Sequence, residues 1–359
     1  MASPLVARFC RITRAEGPLA QGYLNANYGD LNGALSDFYL MERSTFINVD
    51  ELKKAGLNYK MPITTTPSFD GPLVNSKLVE VLLPYVEHHL RKSASSSLSP
   101  REQLVVYIAA MSEKGNLFEL AKRFRISYRL VMPTVLEVSS VINSIFSLPQ
   151  LTKEKLREVA KEFEKRTGFP RIVGYLGAWS GMVLICDVDG KVIAVEDSSS
   201  YWVVRSIENL AHLLPDPEPL RPSAPKDKIA FRFLSAGCTR HNLTFIPYSP
   251  GYKCKLSSKE NHFNTIVNGI LHEQEDRIHL LNAMFPTHTK HIQRSHYKDV
   301  LLSYIHVYNL MRGNPKCFHP YVDRYNIPAR RWYSSYYATP KDPEADKIAE
   351  YLYEKKSRT

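Results

Sequence analysis

Gly168-Phe169-Pro170-Arg171-Ile172-Val173-Gly174-Tyr175-Leu176-Gly177-Ala178-Trp179 is the stretch at which this 359-residue chain changes its rhythm. Upstream, Thr152 stands as an N-cap before Leu156, Val159, Ala160 and Phe163, an apolar stripe at helical spacing with Lys and Glu on the outer face. Downstream the period is two. Arg171 to Trp179 reads as a strand, and Met182 to Asp187 with Lys191 to Glu196 flank Val188-Asp189-Gly190, a turn of the hairpin type.

Working outward, residues 201–214 read as helix, and Pro215, Pro217, Pro219, Pro222 and Pro225 make an extended surface linker. Ile229 to Leu234 and Leu243 to Pro247 are short strand candidates, and helices resume at about Phe263 to Leu281 and Lys298 to Arg312. Toward the N-terminus, Leu78, Val81, Leu82, Tyr85, Val86 and Leu90 predict an amphipathic helix interrupted by Pro84. Ser99-Pro100-Arg101-Glu102 is a capping box that opens another. Asn116 caps a short helix to Phe124, Arg125-Ile126-Ser127 makes a turn, and a further helix starts at Tyr128, which together form a helix-turn-helix pattern. Residues 1–70 mix Gly, Asn, Pro and Thr and read as an irregular arm, with helix hinted only near Leu35 to Leu40 and Val49 to Leu52. The division is therefore an arm (1–70), a helical domain (71–150), an α/β domain (151–315) and a tail (316–359). Helices, strand, hairpin, helix, strand and helices in that order fit an α/β layer fold of the ribonuclease-H kind, although pattern alone leaves several topologies open.

The composition, 44% hydrophobic and 23% charged, is that of a folded globular protein. No stretch approaches the roughly 18 apolar residues of a spanning helix, and no signal-peptide h-region opens the chain, so neither membrane insertion nor secretion is expected. Arg8, Arg11 and Arg14 precede the first acid, Glu16; a mitochondrial presequence is a minor alternative reading of them. Five cysteines without a Cys-x-x-Cys pair argue against a disulfide framework or zinc knuckle. A formal charge of +11 favours a polyanionic partner through counterion release, with simple solubility as the alternative.

Four landmarks carry a family resemblance across residues 100–312. They are the capped helix with Leu120-Ala121-Lys122-Arg123-Phe124-Arg125-Ile126-Ser127; Gly168-Phe169-Pro170 with Gly174; Cys186-Asp187-Val188-Asp189-Gly190; and Pro247-Tyr248 followed by Phe263-Asn264 and Glu275. Their joint order resembles the PIF/Harbinger transposase-derived nucleases. The resemblance implies a ribonuclease-H-like core in which three carboxylates hold two divalent cations, a task for which a neutral side chain is unfit. Carried over position by position, the first acid falls on Gly177, the second on or near Ala236 and the third on Glu275, so the catalytic set is not intact. The loop expected between the first strand and the hairpin is reduced to Trp179-Ser180-Gly181-Met182. No metal site and no cofactor are expected, Mg2+ entering only if nuclease activity persists. Asp187 and Asp189 flank a tight turn, where Asp bonds backbone amides, and with Glu196 and Asp197 they are poor substitutes for the missing ligands.

Lys122, Arg123, Arg125, Tyr128 and Arg129 are the candidate nucleic-acid contacts, weighed evenly against a purely structural helical unit because Pro133 falls in the second turn of the recognition helix. Arg330, Arg331, Trp332, Tyr333 and Tyr336 interleave cations with aromatics and read first as a partner-binding segment, then as nucleic-acid contacts, with simple packing on the chain's own core as a third reading. Ala345 to Lys355 reads as a docking helix. His272, His279, His288, His291 and His296 match no zinc spacing. Trp179 and Trp202 stand where the family has its acidic cleft and are read as filling it. The resemblance implies a nuclear, chromatin-associated adaptor whose partner is a Myb-like or SANT-like DNA-binding protein or a chromatin complex, with DNA contact weak or indirect. The alternatives are an active metal-dependent endonuclease with displaced acids, and a helix-turn-helix transcription regulator.

Overall fold

The computed structural model describes residues 3–42, 48–56, 76–91, 98–112, 117–197, 210–221, 223, 225–226, 228–235, 243–245, 256–284, 294–314 and 342–357. It is an α/β chain, mostly helical, that divides into two compact units, residues 1–146 with 284–306 and residues 147–283 with 307–359.

The first unit corrects the reading of residues 1–70 as an irregular arm. Helices α1 (Pro4–Thr13), α2 (Gly17–Ala26) and α3 (Leu31–Glu42) pack on one another, and α4 (Val49–Lys54) lies against α1. Pro at the start of α1 and α2 loses no intrahelical hydrogen bond there, and Asp30 accepts from the amides of Asn32 and Gly33 at the start of α3. Phe9, Tyr23 and Phe38 meet in the centre of this bundle with ring centroids 5.5–6.2 Å apart, and each is buried. Such short helices, rich in Gly and Asn, are weak in isolation; burial of the apolar face makes them.

Next come α5 (Ser76–Arg91), α6 (Pro100–Ser112), α7 (Leu117–Phe124) and α8 (Tyr128–Ile145). The capping box at Ser99 forms, with the Ser99 amide donating to Glu102 at 2.6 Å and the Glu102 amide to the Ser99 hydroxyl at 3.4 Å. Residues 103–111 of α6 are buried on every side, so this helix is the axis of the unit. Arg125, in left-handed conformation (φ 54°), turns the chain between α7 and α8, and Ser127 caps α8. α8 continues through Pro133 as one helix of 18 residues.

In the second unit, Thr152 caps α9 (Lys153–Thr167), whose Leu156, Val159, Ala160 and Phe163 are buried, and Gly168 (φ 75°) ends it. A five-stranded mixed sheet follows, of β1 (Ile172–Trp179), β2 (Met182–Cys186), β3 (Val192–Asp197), β6 (Arg232–Ser235) and β7 (Thr244–Phe245), in the order β3-β2-β1-β6-β7. β1, β2 and β3 are antiparallel neighbours, whereas β6 pairs parallel with β1, and β7 parallel with β6. The two-residue turn Ser180-Gly181, both at positive φ, joins β1 to β2, as the twist of a tight hairpin requires. A small ribbon of β4 (Glu218–Pro219) and β5 (Lys228–Ile229) stands apart. Helices α10 (Ser258–Met284), α11 (Arg294–Arg312) and α12 (Pro343–Ser357) complete the fold, and the division between the units falls within α11. No described helix is long and apolar enough to cross a membrane.

Candidate functional site

Gly177 sits in β1 opposite Leu184 of β2 and faces α10. A Cβ placed on Gly177 would lie 2.9 Å from both Cδ1 and Cγ1 of Ile278, closer than side-chain carbons approach one another. Ile278 is 8% exposed. The space that a carboxylate on this strand would enter is therefore filled by an apolar side chain from the helix, one turn beyond the half-buried Glu275. Ala236 lies outside the described residues. A two-cation centre does not fit what stands at Gly177.

The neighbouring acids are committed elsewhere. Glu273 pairs with Arg277, and Asp276 pairs with His272 at 3.0 Å along α10. Asp187 accepts from the amides of Asp189 and Lys191, each at 2.9 Å, which shapes the β2–β3 turn. Burial pushes its carboxyl above the usual range. Asp189 pairs with Arg166 at 2.6 Å. Gln274 and Arg277 both donate to the Val188 carbonyl, at 3.1 Å and 2.5 Å, so α10 grips the same turn. Asp197 pairs in register with Met182, and Glu196 is half-buried beside it in β3. Among the described residues no group of three His, Cys, Asp or Glu side chains could hold a metal ion. His296 is exposed on α11; the side chains of His279, His288 and His291 lie outside the described ones. Trp179 is 1% exposed at the end of β1, and its indole Nε1 has no hydrogen-bond partner among the described residues. Trp202 also lies outside them.

In the first unit the helix-turn-helix forms, but two of its cations face acids of α3. Lys122 Nζ is 3.4 Å from Asp37, and Arg129 Nε is 3.8 Å from Glu42. Glu42, with a side chain 9% exposed, also accepts from the Ser127 hydroxyl at 2.7 Å and the Tyr23 hydroxyl at 2.8 Å. Burial first, then the Glu42 charge, pushes the Tyr23 phenol far above its usual range. Tyr128 stacks on Phe118 with ring centroids 3.7 Å apart and planes inclined by 9°. Phe118 meets α2 so closely that a Cβ on Gly22 would fall 2.0 Å from its Cζ. Between α2 and α8 a cavity of about 540 Å³ remains, lined by Gly22, Asn25, Phe118, Tyr128, Arg129 and Met132. Arg123 and Arg125 are exposed. Arg330, Arg331, Trp332, Tyr333 and Tyr336 lie outside the described residues.

The N-terminal bundle is the element that sequence reading missed. Its signal was present in Leu19-Ala20, Tyr23-Leu24, Ala34-Leu35 and Phe38, apolar pairs at helical spacing on either side of Asn27-Tyr28-Gly29-Asp30. A family model described as a UBA-like domain matches residues 5–44, the span of this bundle. No curated protein matches the chain, and no solved structure does.

Proposed function

We propose that this chain is a transposase-derived protein whose ribonuclease-H-like core no longer cleaves DNA and which acts as a nuclear, chromatin-associated adaptor by binding protein. The sheet order supports the descent of the core: an antiparallel β1-β2-β3 meander flanked on the other side of β1 by two parallel strands is the arrangement expected of a ribonuclease-H-like fold. The observation that carries the loss of activity is Ile278, which occupies the space beside Gly177. With Gly177 lacking a carboxylate, Glu275 cannot build the three-acid, two-cation site by which such cores activate a nucleophile and stabilise a leaving oxygen. Incubating a supercoiled plasmid with the full chain and Mg2+ or Mn2+ is expected to leave it uncut. Metal-dependent cutting that Glu275→Gln abolishes would establish the alternative, an endonuclease with displaced acids.

The protein-binding role draws support from the UBA-like match and from the compact three-helix bundle that realises it. A Myb-like or SANT-like companion or a chromatin complex is the partner implied by descent; ubiquitin is the partner implied by the UBA-like module. Titrating the full chain into isotope-labelled ubiquitin separates the two. Saturable shifts of ubiquitin resonances favour the second, and an unchanged spectrum at roughly millimolar chain, where even weak binding of about 1 mM dissociation constant registers, leaves the companion protein as the ligand.

A further inference from the structure

The first 56 residues hold Arg8, Arg11, Arg14, Arg43, Lys53 and Lys54 against Glu16, Asp30, Asp37, Glu42, Asp50 and Glu51, so their formal charges balance. Folding separates them. Asp37 and Glu42 turn toward α7 and α8, Asp30 binds backbone amides of α3, and Glu16 lines the cavity beside Arg129. Arg8 and Arg11 are exposed three residues apart on α1, which keeps them on adjoining faces, and Arg14 is exposed at its left-handed C-cap (φ 59°). α4 is held against this helix by the Asn48 amide, which donates to the Ile12 carbonyl at 2.9 Å. Glu51 then accepts from Arg11 at 3.1 Å and from Lys54 at 2.9 Å, tying the cations of the two helices into one surface. Lys53 is exposed beside them. Five exposed cations thus stand on these two packed helices and their ends with two acids, Asp50 and Glu51.

We propose that this outer face of α1 and α4 binds the phosphate backbone of duplex DNA, in place of the helix-turn-helix. The face carries a row of cations and almost no apolar anchor, Leu5 being its one exposed large aliphatic side chain among the described residues. Such a surface suits a regular array of phosphates and gives no base readout, whereas protein interfaces are built around buried aromatic or aliphatic hot spots. At the helix-turn-helix, by contrast, Lys122 and Arg129 are met by carboxylates, and α2 stands beside the N-terminal end of α8 that would have to enter a major groove.

The test uses the full chain and a fluorescent 30-base-pair duplex of mixed sequence, with affinity followed from about 50 to 200 mM NaCl, the range over which phosphate neutralisation dominates the response. Replacing Arg8 and Lys53 together by Ala is expected to weaken binding about tenfold and to make the salt slope shallower by about two, at roughly 0.9 for each phosphate no longer neutralised. Arg8→Glu, which also changes the charge by two, is expected to weaken binding comparably, with the thermal transition of each variant confirming the fold. Arg125→Ala with Arg129→Ala is expected to change affinity by less than about twofold, as for removal of groups that neutralise no phosphate. The inference fails if the wild-type chain does not bind the duplex, if the Arg8 and Lys53 variant binds like wild type, or if the weakening follows Arg125 and Arg129 instead. It also fails if polyglutamate of matched charge displaces the duplex as well as unlabelled duplex does, since the face would then read acidic peptide. Cutting of the duplex in added Mg2+ would sink the non-cleaving adaptor while leaving this binding face intact, so the two failures are separable.

Discussion

Gly22 and Gly177 lack side chains because a neighbour occupies the space where one would stand. Replacing a helical glycine by alanine ordinarily gains up to about 1 kcal/mol, but at Gly22 the new Cβ would lie 2.0 Å from the Phe118 ring, which is itself stacked on Tyr128. Overpacking of this kind costs about 1–3 kcal/mol, so Gly22→Ala is expected to lower stability, as read by chemical denaturation. Gly177→Asp is expected to lower stability by a comparable amount, since it drives a carboxylate against Ile278, and to confer no cleavage of plasmid with Mn2+. His306 offers a pH test. It is 5% exposed on α11 and its ring lies 6.3 Å from that of Phe146; burial lowers its pKa below the ordinary 6.5. A lowered histidine is neutral in the fold while the unfolded chain takes up a proton, so its contribution is complete above pH 6.5 and is lost as pH falls through and below that value. His306→Gln is expected to flatten the fall in melting temperature between about pH 7 and pH 5.5, the interval in which histidine titrates.

Among the elements, the closing helix α12 docks on its own unit. Ala345, Ile348, Ala349 and Leu352 are buried, and Arg232, a buried cation at the start of β6, pairs with Asp342 and with Glu344, the latter at 2.5 Å. Outer pairs Arg221–Glu354 at 2.6 Å and Lys259–Glu350 at 2.7 Å add little, because both partners of each are well exposed. Removing one side of a fully buried pair costs about 3–5 kcal/mol; here the carboxylates left behind, Asp342 and Glu344, are 32% and 28% exposed, and water offsets part of that cost. Arg232→Ala is therefore expected to destabilise more than Lys259→Ala in parallel urea titrations. Elements of this unit were legible in sequence where local chemistry decided them: Thr152 and Gly168 bracket α9, the switch to period two marks β1, and Asp187 with Gly190 makes the turn. β7, two residues long, and the limits of α10 were less legible, because parallel pairing and packing set them rather than caps. Helix α2 escaped reading because Gly17 and Gly22 dilute a stripe that only the aromatic centre of Phe9, Tyr23 and Phe38 makes cooperative.

At the scale of the whole molecule, an intact two-cation centre would show itself as linkage, since a ligand that binds only the folded state adds about 2.7 kcal/mol at a hundred times its dissociation constant. Millimolar Mg2+ or Mn2+ is expected to leave the melting temperature of the full chain unchanged by calorimetry; a rise that Glu275→Gln removes would restore a metal site to the core. The amino-acid sequence by itself determined that this is an α/β chain with a helical region over residues 71–150, where its hairpin turns, and that glycine stands at position 177 of the first strand. Those features rest on residues within a few positions of one another. Only the tertiary structure decided that β6 lies parallel beside β1, that Ile278 fills the gap at Gly177, and that Asp37 and Glu42 take Lys122 of α7 and Arg129 of α8. Each of these joins residues about 50 to 100 positions apart, a separation at which spacing and propensity carry no information and burial with charge pairing alone selects the partner.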